Sequence, residues 1–117
     1  MTEQKNIYDV GLVLTVAAWL EMARKKHAWP DEADGTPQAY GALSSEMREL
    51  RRAVDHCHPD EHVISELLDV IAVALRMLDG EHLRDEEERR TWLDLALGVR
   101  PTQPGEISPW DEHKGGK

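Results

Sequence analysis

The chain has 117 residues and carries 23 Asp and Glu against 14 Lys and Arg, a net charge of −9. Such an excess argues against a nucleic-acid binder, whose affinity rests on cations that neutralise phosphates. It leaves open a phosphate substrate held through a divalent cation. The length suits one domain, and the lone Cys57 excludes an internal disulfide and a CxxC metal site, as expected in a reducing compartment.

No apolar run approaches the roughly 20 residues of a membrane span. Val10 to Leu20 lacks the basic flank and cleavage site of a signal peptide. The expectation is a soluble, cytoplasmic protein with no nucleic-acid and no membrane partner.

In chain order, the first segment of helical period runs from about Tyr8 to His27. Val10, Val13, Leu14, Ala17, Leu20 and Met22 make it apolar around much of its surface, and Arg24, Lys25, Lys26 and His27 suit the negative end of a helix dipole. The Pro- and Asp-rich stretch from Trp29 to Pro37 predicts a loop. From about Gln38 to Asp55, Tyr40, Leu43, Met47, Leu50 and Val54 recur at spacings of 3, 4, 3 and 4, one buried stripe. A third helix is predicted from Pro59 to Asp79, ahead of Gly80, with apolar residues on more than one face. A fourth, more polar helix runs from about Glu81 to Leu97, and Asp85 to Arg90 lie on its solvated face. Residues 1–98 thus form an all-α, four-helix-bundle-like domain, and the Pro- and Gly-bearing stretch 99–117 an extended or flexible tail. The central helices carry more apolar surface than so short a chain can cover, which predicts a homodimer or dimer-based oligomer.

Acidic pairs three residues apart occur at Asp31/Asp34, Glu46/Glu49, Glu66/Asp69 and Asp85/Glu88. The first lies in a loop and the last in a solvated charge run. Glu46/Glu49 and Glu66/Asp69 share their helical faces with Ala42, Ala53, Ala72 and Val73, compact enough for two such faces to approach. Residues at this spacing lie about 5–6 Å apart on a helix, so each pair can straddle a hard cation. Four carboxylates brought together without one would repel and take up protons.

Leu43-Ser44-Ser45-Glu46-Met47-Arg48-Glu49-Leu50, followed after sixteen residues beyond Glu49 by Glu66-Leu67-Leu68-Asp69-Val70, resembles the ExxE…ExxD signature of the MazG-type all-α nucleoside triphosphate pyrophosphohydrolases. The likeness covers roughly residues 38–78. It implies that Glu46, Glu49, Glu66 and Asp69 bind Mg²⁺, with Mn²⁺ as a substitute. It also implies cleavage of a nucleoside triphosphate between the α and β phosphorus, with Glu46 as the base that orients water. Ser45 stands where many members carry a second Glu, and Ile71, Ala72 and Val73 where many carry polar or aromatic residues. The base and sugar of the substrate therefore stay open.

Among further residues, Arg76 lies two turns beyond Asp69 on the same face, where it could meet a phosphate or pair with a neighbouring acid. Lys25 could also serve phosphates, although a helix-end cation is the commoner role. Trp29, in its Pro-bounded loop, is the best base-stacking surface, ahead of Tyr40 and of Trp19, which is placed in the core. His56-Cys57-His58 with His62 lacks a recognised metal-ligand spacing. The competing expectation is a non-catalytic helical module that binds a protein partner through its apolar faces or senses nucleotide.

Overall fold

The computed structural model describes the backbone of residues 2–100 and the side chains of residues 9–100. The tail expected over 99–117 thus lies, beyond position 100, outside the described residues. Among the described residues four helices follow one another, α1 (Thr2–Lys26), α2 (Thr36–Asp55), α3 (Asp60–Leu78) and α4 (Glu86–Gly98), with a 3-10 turn at Asp31–Ala33. The described residues are all-helical, without a strand. None of their helices is long and apolar enough to cross a membrane.

The first helix starts well before the apolar pattern that announces it. Glu3, Gln4 and Lys5 are good helix formers, and extending a nucleated helix costs little. Gly35 (φ 97°) turns the chain into α2, with a proline in the first turn, where a missing N–H is no loss. Gly35 N–H also donates to the His82 carbonyl at 2.7 Å, tying this loop to the turn between α3 and α4.

Helices α2 and α3 fold back on each other as a hairpin, and α1 packs against α3. The hairpin turn is a Schellman motif. Cys57 N–H donates to the Val54 carbonyl at 3.1 Å and His58 N–H to the Ala53 carbonyl at 3.0 Å. Its left-handed position is filled by Cys57 (φ 54°), where glycine is usual. Pro59 then caps α3, whose first turn bears Asp60 and Glu61 and whose last bears Arg76, matching the helix dipole.

The fourth helix begins later than the periodicity suggests, at Glu86 instead of about Glu81. Gly80 (φ 77°) opens a turn, and the Asp85 side chain accepts from Glu88 N–H at 2.9 Å, an N-cap. Asp85 and Glu88 are therefore a helix start and not a mid-helix acid pair. Trp92 anchors α4 by donating from Nε1 to the Leu78 carbonyl at 3.1 Å.

The core is small. Trp29, Ala33 and Ala39 are buried together with Val73 and Met77 against them, and Ala53 and Ala72 let α2 and α3 approach. His82 is completely buried, with its ring 4.8 Å from Trp92 and 6.4 Å from Trp29. By contrast, Val10, Leu12, Val13 and Leu14 on α1 are all more than half exposed, the least being Val10 at 58 %.

Candidate metal centre

Helix α2 presents Glu46, and α3 presents Glu66 and Asp69, across the strip of alanines that lets the hairpin close. One carboxylate oxygen from each of the three lies within 4.8 Å of the others. The oxygen shell of an octahedral Mg²⁺, at 2.0–2.1 Å per bond, is about 4 Å across, so these three donors suit one hard cation. Two further observations fit a cation. The Oε2 atoms of Glu46 and Glu66 are buried and have no hydrogen-bond partner, a costly state for carboxylates. The Glu46 carboxyl is also pushed up to about 7, by burial first, then by the charge of Glu49 and a hydrogen bond with it, then by Asp69 and Glu66.

Glu49, the fourth expected ligand, stands apart. It is exposed and acts on Glu46 as a neighbouring charge, but it is not one of the three converging donors. Two oxygens of the cluster have neighbours from outside the trio. Asp69 Oδ1 accepts from Trp19 Nε1 at 2.8 Å, and Glu66 Oε1 lies 3.6 Å from His62 Nε2.

Of the three acids, Glu46 and Asp69 open into a cavity of about 390 Å³ that Arg76 also lines, with Ala42, Ala72 and Val73 as an apolar floor and His27, Trp29 and Pro30 from the loop side. Arg76 is buried. Its guanidinium carbon sits 5.4 Å from the centre of the Trp29 ring, and its Nε donates to Glu81 Oε1 at 2.8 Å. Glu81 is held in turn by Arg24 Nε at 2.6 Å, and these two arginines keep its carboxyl below the ordinary range against the opposing effect of burial. The Trp29 indole is fixed by its own donation to the Ala33 carbonyl at 2.9 Å. The cavity thus sets an acid cluster, a locked cation and an immobile aromatic face side by side.

Arg76 and Trp29 therefore stand where a ligand of the acids would meet them. Lys25 does not. It is exposed, pairs with Glu21 at 3.2 Å, and lines a separate depression with Ala18 and Met22. Tyr40 is 61 % exposed and is not part of the cavity lining. The rings of His56, His58 and His62 follow one another at 6.0 and 4.8 Å. Yet among the described residues they do not converge on one point as the three acids do.

Two residues at the site were not anticipated. His27 lines the cavity although its place beside Lys26 marks it only as a helix-end cation. Trp19 touches a candidate ligand 50 residues away, and no local spacing signals such a contact. No family model, curated protein or solved structure matches this chain.

Proposed function

We propose that the chain is a Mg²⁺-dependent nucleoside triphosphate pyrophosphohydrolase of MazG-like type, working in the cytoplasm as a homodimer, with Mn²⁺ able to replace Mg²⁺. The observation that carries the reading is the meeting of Glu46 with Glu66 and Asp69 beside a cavity lined by Glu46, Asp69, Arg76 and Trp29. These three acids would hold the cation, with Glu49 at the edge of its shell. The bound ion would supply charge neutralisation on the triphosphate and its pyrophosphate leaving group.

The chain's own residues do the rest. Arg76, immobilised by Glu81 and Trp29, offers a fixed positive charge to a phosphate oxygen. The Trp29 face and the alanine floor take an apolar, planar group. Glu46 orients the attacking water and receives its proton. Water attacks the α phosphorus and the bond to the bridging oxygen breaks, giving a monophosphate and pyrophosphate.

The rival reading, a helical interaction module, is favoured by one feature, the exposed apolar face of α1. One experiment separates the two. Nucleoside triphosphates are incubated with the protein and Mg²⁺, and pyrophosphate is measured for the wild type and for Glu66→Gln. The hydrolase reading expects release by the wild type and a loss of 100-fold or more (order of magnitude) in the variant. Metal-free stability should be unchanged or higher in Glu66→Gln, because one repelling charge is gone. Wild-type turnover in the variant, or no Mg²⁺-dependent release by the wild type, would overturn the reading.

A further inference from the structure

We infer that Trp19 sets which cation the acid cluster accepts, holding Asp69 as a one-oxygen donor and so favouring a small octahedral ion over Ca²⁺. The inference rests on the cation-site reading above and extends it to a residue outside the acidic pairs.

The indole N–H is a donor only, and its bond to Asp69 Oδ1 is short, at 2.8 Å, and partly buried. A hydrogen bond to an ionised carboxylate belongs to the stronger class. Trp19 stands on α1 and Asp69 on α3, so the anchor is fixed by the packing of another helix and does not follow the carboxylate when it turns. Swinging both oxygens of Asp69 onto one ion would stretch or break that bond.

The cost falls unequally on different cations. Mg²⁺ and Mn²⁺ are bound by single carboxylate oxygens in a near-octahedral shell, whereas Ca²⁺ takes six to eight oxygens at longer distance and gains from carboxylates that bind through both. The other two acids cannot make the difference in the same way. Glu46 Oε2 and Glu66 Oε2 have no protein partner, and the hydrogen bond of Glu46 runs to Glu49 on its own helix, so neither is tethered from another helix as Asp69 is. Glu66 Oε1 has only the looser approach of His62 at 3.6 Å. Among the described residues, Trp19 is thus the tight outer contact that reaches the three converging donors from another helix, and outer contacts of this kind govern ligand orientation and metal affinity.

The test titrates the full chain with Mg²⁺ and with Ca²⁺ by calorimetry, for the wild type and for Trp19→Phe. Trp19→Phe is expected to weaken Mg²⁺ binding by about tenfold or more while Ca²⁺ binding changes much less, so that the ratio of the two affinities falls. A second measurement needs no variant to fold. The indole N–H resonance of Trp19 in the ¹⁵N-labelled wild type should keep its hydrogen-bonded position with saturating Mg²⁺ and move toward that of a free indole with saturating Ca²⁺. An unchanged affinity ratio, or an indole signal that responds alike to both ions, overturns the role given to Trp19 and leaves the cation site standing. A wild type that binds neither ion overturns the cation site itself, and the inference with it.

Discussion

Burial raises the carboxyl of Glu46 from 4.5 to about 7, and the neighbouring charges of Glu49, Asp69 and Glu66 add to the effect. A group that binds its proton more tightly in the folded than in the unfolded chain favours folding at low pH. Its contribution is fully present below about 4.5 and is lost as pH rises through about 7. His82 has the opposite sign. Burial lowers it from 6.5, with Asp34 opposing, so its contribution is present above the unfolded value and is lost as pH falls through the lower folded one. The wild-type profile mixes the two, and the comparison with Glu46→Gln separates them. In urea melts of the metal-free protein, Glu46→Gln should flatten the rise in stability between about pH 7 and pH 5 and leave the histidine's fall in place. The same carboxyl links cation binding to protons. At pH 6.5, Mg²⁺ should expel a proton from Glu46, up to about one per site, and at pH 8 almost none. Calorimetry in two buffers of different ionisation enthalpy measures that number directly, and equal release at both pH values would exclude Glu46 as the titrating ligand.

At the level of single helices, the start of α4 depends on one side chain. Asp85 satisfies the Glu88 N–H at 2.9 Å, with Glu86, Glu87 and Glu88 placed favourably in the first turn. Asp85→Ala should cost about 1 kcal/mol, read as a lower midpoint in thermal melts. Trp92 fluorescence should respond most, since that residue docks α4 on the Leu78 carbonyl. The cap was visible in the order Asp85-x-x-Glu88, but the surrounding charges gave it the look of a solvated face. Elsewhere, single-helix patterns were more telling. The stripe from Tyr40 to Val54 marks the helix α2, although it is not buried as expected, since Tyr40, Met47 and Val54 are exposed; Pro59 and Gly80 bracket α3, because periodicity and breakers are local properties. The acids of the candidate site were legible for the same reason, as two pairs one helical turn apart beside small residues. What could not be read is whatever joins one helix to another. Trp19 on Asp69, Arg76 over Trp29 and the position of Glu49 outside the converging trio depend on the rotation and offset of packed helices. That information lies in side-chain volumes spread along the chain.

At the scale of the molecule, the described residues leave an apolar face on α1 exposed. From Val10 to Leu20 the chain carries no charged residue, and Leu12, Val13, Val16 and Ala17 join Leu20 and Leu75 in a wholly apolar groove between α1 and α3. Val13 is 67 % exposed. A two-fold axis beside this groove would let the same face cover itself, the commonest solution for a self-complementary patch. Charge opposes the pairing, since each copy brings −9, and the opposition is screened by salt. Sedimentation at micromolar concentration should therefore give twice the 13.3 kDa mass of the chain, and the dimer should tighten as salt is raised. A complex held by ion pairs would loosen instead. Val13→Glu places a carboxylate in the groove, where it cannot be buried unpaired, and should yield a monomer that retains its helical circular dichroism. Because Glu46, Glu66 and Asp69 converge within one chain, the monomeric variant should still bind Mg²⁺ with affinity within about threefold of the wild type. Loss of Mg²⁺ binding together with the dimer would instead mean that the second copy completes the cation shell. A wild type that sediments as a monomer at every salt concentration would remove the pairing altogether and leave the groove to a different partner.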